Sequence, residues 1–206
     1  MIEVVEGAPI KRVNVVPEHL VRVLNEYGFA LPVNVNDFQR GRDFAAELIG
    51  SDIAATSVFQ DIQDHSGAGM LLFREKGEIT GVAGLLMLTD AGRKAILSNS
   101  FNGKKPDLKH IAQHGQKQVA ATYAWLGAAT THASRVAVVT ISIGLKKHIF
   151  GDLPSFANAV TPEGAAAVQT YLHMEPLASR PGLYWNPGIS APEQDIAPAK
   201  KRTRRA

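Results

Sequence analysis

Apolar positions along this chain switch between two rhythms. Leu20, Val23 and Leu24 recur at helical spacing and predict a helix over 18–27, which Gly28 stops. Val35-Asn36-Asp37 offers a cap, and Phe38, Phe44, Ala45, Leu48 and Ile49 predict a second helix over 38–49, ended by Gly50. Ahead of both, 10–16 reads as a strand that stops at Pro17. A short strand is predicted over 57–62. Strands over 70–74 and 79–88 are joined by Glu75-Lys76-Gly77-Glu78, a hairpin signal. Thr89-Asp90-Ala91-Gly92 breaks the second of them. Pro106 precedes a helix predicted over 107–120. Residues 122–128 alternate in bulk as a strand does. A long helix follows over 131–150, starting at Thr130-Thr131 and ended by Gly151-Asp152-Leu153-Pro154. Residues 155–160 read as a strand. Thr161-Pro162-Glu163 then opens a helix to about Leu172, with Thr as cap and Pro at the first position. Strands over 174–180 and 183–185 close the chain. The order is that of an α/β (α+β) domain with a mixed sheet.

Composition narrows the function classes. With 206 residues and 45% hydrophobic positions, the chain can bury one sizeable core. It has no Cys, which excludes disulfides, thiolate zinc sites, iron–sulfur clusters and a cysteine nucleophile. The longest strongly apolar stretch, 136–145, is ten residues between Arg135 and Lys146. A membrane span needs about 20, so none is expected. Residues 1–17 carry Glu3, Glu6, Lys11 and Arg12 without a long apolar run, so no signal peptide is expected and the location reads as cytoplasmic. The net charge of +3 belongs to one segment. Residues 186–206 hold five basic residues against two acidic ones, which accounts for all of it and leaves the body neutral. That segment is rich in Pro and reads as a disordered basic tail, able to contact an anionic partner. Residues 1–185 read as a single domain.

The common catalytic signatures are missing. There is no Walker A sequence and no G-x-S-x-G. Gly67-Ala68-Gly69 precedes a strand and not a helix, so it is a turn and no dinucleotide fingerprint. His110 and His114 have i,i+4 spacing on the helix predicted there. Ile111 stands where a zincin has Glu and no third ligand is evident, so no metal site is expected.

Three segments carry a resemblance. They are the hairpin LLFREKGEITGVAGLLML, the strand–turn–helix TYAWLGAATTHASRVAVVTISIGL, and the ending SFANAVTPEGAAAVQTYLHMEPL. In this order they resemble the GNAT superfamily of acyl-CoA-dependent N-acetyltransferases over about 10–185, with 90–120 as an insertion. The resemblance implies a central mixed, mostly antiparallel sheet with helices on both faces. It implies acetyl-CoA or another acyl-CoA as donor and an amine as acceptor. Thr130, Thr131, His132, Ala133, Ser134 and Arg135 fill the place of the family's pyrophosphate loop, here without Gly. Leu126 and Gly127, beside Trp125, fill the place of the strand bulge whose backbone N–H groups polarise the thioester. The family's general-acid position holds Gln169, and Tyr171 lies two residues on. Tyr171 is thus the candidate acid and Tyr123 a more distant one. His173 replaces a family Gly. Asp61, Asp64, Glu75, Glu78 and Asp90 are candidate bases, with none singled out.

The glycine-free loop and the displaced Tyr support a second reading. In it the chain is a catalytically inactive scaffold of this type, binding a protein or an anionic partner through its body or its tail. Apolar edge strands near 183–185 offer a route to a homodimer.

Overall fold

The computed structural model describes residues 12–178 and 180–188. Residues 10–11 of the first expected strand and 189–206 of the expected tail lie outside the described residues. Six helices and seven strands follow in the order α1 Pro17–Glu26, β1 Phe29–Ala30, α2 Val35–Ile49, α3 Thr56–Ser66, β2 Met70–Glu75, β3 Glu78–Leu88, α4 Asp90–Leu97, β4 Ala121–Ala129, α5 His132–Leu145, β5 Ser155–Asn158, α6 Pro162–Leu172, β6 Glu175–Pro176 and β7 Leu183–Asn186. The strands form one sheet in the order β1-β2-β3-β4-β5-β7-β6. Only β4 and β5 are parallel; every other pair is antiparallel. The sheet is therefore mixed and mostly antiparallel, as expected.

Strand alternation sends side chains to two cores. Leu71, Ala83, Leu85 and Met87 face α1 and α5. Met70, Leu72, Val82, Leu86 and Leu88 face α2, α3 and α4 on the other side. Helices thus cover both faces. The α1–α5 contact is tight because Gly144 has no side chain: a Cβ there would lie 2.4 Å from the Tyr27 ring.

Four local expectations are corrected. Residues 57–62 are part of α3, not a strand. Phe59, Ile62 and Ser66 line its buried face at helical spacing, and Gly67 ends it in the left-handed conformation. A helix over 107–120 is absent; a 3-10 turn over Leu108–His110 stands there instead. The following backbone is spent on neighbours: Ala112 N–H donates to Met87 O at 2.7 Å and His114 N–H to His65 O at 3.0 Å. His110 and His114 therefore share no helix, and no metal-binding group of three or more His, Asp or Glu occurs among the described residues. The expected first strand contributes a single bridge, Val13 to Val119. β7 is no edge strand: Tyr184 and Trp185 pair with β5 on one side and β6 on the other.

The long helix read over 131–150 is divided. α5 ends at Leu145, and one π-helical turn over Lys146–Phe150 follows before Gly151. The segment between β3 and β4, including α4, packs back on the sheet through Ile96, Phe101 and Ile111. No helix among the described residues is long and apolar enough to cross a membrane.

Candidate functional site

β4 and β5 pair only at Thr122–Ser155, Tyr123–Phe156 and Ala124–Ala157. β5 ends at Asn158, while β4 continues five residues past Ala124 to Ala129. The two parallel strands therefore fork. Beyond the fork β4 keeps its pairing with β3, and on its other side its backbone groups have no strand partner. Half of those groups point into the fork.

The fork begins at a bulge. Gly84 pairs with Leu126, but the next pair is Leu85 with Ala124, so Trp125 is an extra residue. Trp125 and Leu126 consequently both turn to the α2–α3 face. Trp125 is fixed there: its ring lies 4.4 Å from the Phe59 ring and its Nε1–H donates to Gly103 O at 2.7 Å. The glycine that permits the bulge is Gly84, where a Cβ would lie 2.6 Å from Leu126 Cβ. Gly127, to which the sequence pattern points, pairs regularly with Ala83 and is exposed on the α5 side. An isolated Gly inside the strand pattern was the available signal for Gly84.

α5 starts directly above the fork. Its N-terminus is closed by a capping box. Ser134 N–H donates to Thr131 Oγ1 at 3.0 Å, and Thr131 N–H donates to Ser134 Oγ at 3.0 Å. Ser134 is 0% exposed, and its side chain serves the cap. His132 and Ala133, at the first two helical positions, are exposed residues whose amides take no part in the capping box, and Arg135 is exposed as well. Free amides at a positive helix end suit an anion. One group opposes it. Glu75 sits at this helix end, accepting from Thr131 Oγ1 at 2.6 Å and Thr80 Oγ1 at 2.8 Å. Those two hydrogen bonds, Thr131's first, hold its carboxyl below the usual range.

At the other end of α5 lies a cavity of about 550 Å³. It is walled by β4 at Thr122 and Ala124, by β5 at Ser155 and Phe156, by α5 and the π turn, and by the end of α6. Tyr171 lines it and is 56% exposed. His173 lines it too, as the C-cap of α6 at φ 51°, the left-handed conformation that explains a Gly preference there. Lys146 is half-buried in the wall. Burial lowers its pKa, and Asp152 partly offsets this.

The structure therefore separates the expected residues into two groups along one axis. Thr130 to Arg135 stand at the top of the fork, with Leu126 and Gly127 below them on β4. Tyr171 stands at the cavity, past the fork. Tyr123 faces away, buried against Phe101 on the α4 side, where burial raises its pKa. Glu78 pairs with Arg40. Asp90 is held by Arg93 and Lys94; burial alone would raise its carboxyl, but their hydrogen bonds and charges outweigh it and lower it. Asp61 and Asp64 lie on α3 away from its buried face.

No protein-family model matches this chain, and no curated protein sequence matches it. Among solved structures, a chain described as "histone acetyltransferase HPA2 and related acetyltransferase" from Corynebacterium glutamicum is similar in shape. It is 19% identical, with a TM-score of 0.45, and the match covers 77% of this chain and 94% of that one.

Proposed function

We propose that this chain transfers an acyl group from a CoA thioester to an amine. One observation carries the reading: the β4–β5 fork, opening at the Trp125 bulge directly beneath the free end of α5. The small residues Ala124, Gly127 and Ala129 leave the floor of the fork open on the α5 side. A donor arm with its own amides pairs there with the unpaired edge of β4, in the manner of an added strand. Its diphosphate meets the amides of His132 and Ala133 and the Arg135 guanidinium, against the charge of Glu75. From Thr131 down to the bulge is about 20 Å at roughly 3.3 Å per residue.

The amine nitrogen attacks the thioester carbon. Charge gathering on the carbonyl oxygen is received by backbone N–H at 125–127. Collapse breaks the C–S bond and forms the amide. The amine's proton leaves to solvent, and Tyr171 protonates the departing thiolate. Holding amine and thioester together supplies much of the acceleration.

The test is turnover of acyl-CoA with an amine panel, together with Tyr171→Phe. The variant is expected to lose about 10²–10⁴ in kcat with acyl-CoA affinity unchanged. Equal kcat in the variant removes Tyr171 from the chemistry. Absence of turnover with every donor and amine overturns the reading. A non-catalytic scaffold is then the better account, and Glu75 at the helix end is the observation that favours it. That account expects no binding of any CoA species, and partner capture that is lost on deleting 186–206.

A further inference from the structure

The cavity past the fork is larger than the reaction above requires. Its position is informative. On β4 it touches Thr122 and Ala124 but neither Gly127 nor Ala129. On α5 it starts at Ile141, more than two turns below the helix end that would hold a diphosphate. The donor arm, laid along the free edge of β4, brings its sulfur to the bulge. What lies beyond the sulfur points into the cavity.

We propose that this cavity is an acyl-chain pocket, so that the donor carries a long, straight hydrocarbon chain and not an acetyl group. The inference rests on the acyltransferase reading and adds the substrate class. Three features support it. Most of the lining is apolar, including Leu71, Leu85, Ile141, Ile143, Leu153 and Leu172. The volume, about 550 Å³, is that of a site for a sizeable organic group. The wall from Ile141 to Phe150 is roughly 13 Å long, the span of a stretched chain of about ten carbons.

Local structure explains how the space is kept. α6 buries none of its residues, so its apolar side, including Leu172, is not seated on a core. The π turn over Lys146–Phe150 widens the end of α5 and brings Lys146, Lys147 and Phe150 into the wall. Small residues, Ala83 and Ala124, lie on the sheet where larger ones would fill the volume.

The measurement is calorimetric titration of the full chain with free CoA, acetyl-CoA, hexanoyl-CoA, decanoyl-CoA and succinyl-CoA. Burying each methylene raises affinity by roughly fourfold at most. Decanoyl-CoA is therefore expected to bind about a hundredfold or more tighter than acetyl-CoA. In Leu172→Trp and, from the opposite wall, Ser142→Phe, the decanoyl-to-acetyl ratio should collapse toward one. Circular dichroism confirms that each variant is folded. Free CoA and acetyl-CoA binding with no gain for decanoyl-CoA overturns the chain pocket and leaves the acyltransferase reading standing. Succinyl-CoA binding tighter than decanoyl-CoA also overturns it, by showing that Lys146 receives a charged acyl end. No binding of any CoA species overturns both.

Discussion

Single residues decide how well the site is built. His173 holds a left-handed conformation that costs a side-chain-bearing residue about 1–2 kcal/mol. His173→Gly is expected to raise stability by about 1 kcal/mol, read as a shift in the denaturant midpoint at constant slope. An unchanged midpoint would mean the imidazole makes a compensating contact. Glu75 yields a pH dependence. Its carboxyl is lowered in the folded chain by Thr131 and Thr80. Its stabilisation is therefore full above the unfolded carboxyl value, about 4.3, and is lost as pH falls through the lower folded value. In Glu75→Gln this acid loss should be missing from the stability profile, while acyl-CoA affinity at neutral pH rises severalfold as the opposing charge goes. An unchanged acid profile and affinity would remove Glu75 from both roles. At this scale the sequence was partly legible. Thr161 capping α6 followed from residue type alone, as did a cap for α5 at Thr130 or Thr131, of which the structure uses Thr131. The spending of Ser134 on the cap, and the approach of Glu75 from a hairpin 56 residues earlier, are tertiary facts with no local signal.

At the scale of elements, the bulge between β3 and β4 organises the site. It turns Trp125 and Leu126 to one face and returns Gly127 and Ala129 to the other. Gly84→Val inserts a side chain where even a Cβ meets Leu126 at 2.6 Å. Such overpacking costs about 1–3 kcal/mol. Because the strain falls on the bulge, kcat should drop by more than KM changes; a pure stability loss with normal kinetics would detach the bulge from the chemistry. Helices with a full apolar stripe, α1 and α2, were readable from spacing, as were the strands flanking Lys76-Gly77. Two errors share a cause. The window over 57–62 was too short to reveal the 3.6-residue repeat that α3 completes at Ser66. The polar stretch after Ile111 has no repeat at all, and its backbone bonds go to β3 and to His65.

On the scale of the whole molecule, the mixed, mostly antiparallel sheet with helices on both faces is what the resemblance implied, while the strand order and the place of the fork come from the structure. The cavity was not implied, because it is made by what segments distant in sequence, from β2 to β7, leave unfilled. No stretch of sequence announces missing volume. That open apolar surface has a thermal consequence. Water lies on it while the site is empty, and covering apolar surface makes the heat-capacity change of binding negative. Titrations at several temperatures should therefore give a more negative heat-capacity change for decanoyl-CoA than for acetyl-CoA. Equal values would mean that the chain lies outside the cavity of about 550 Å³. The space that makes room for a donor's tail thus also sets how its binding responds to temperature.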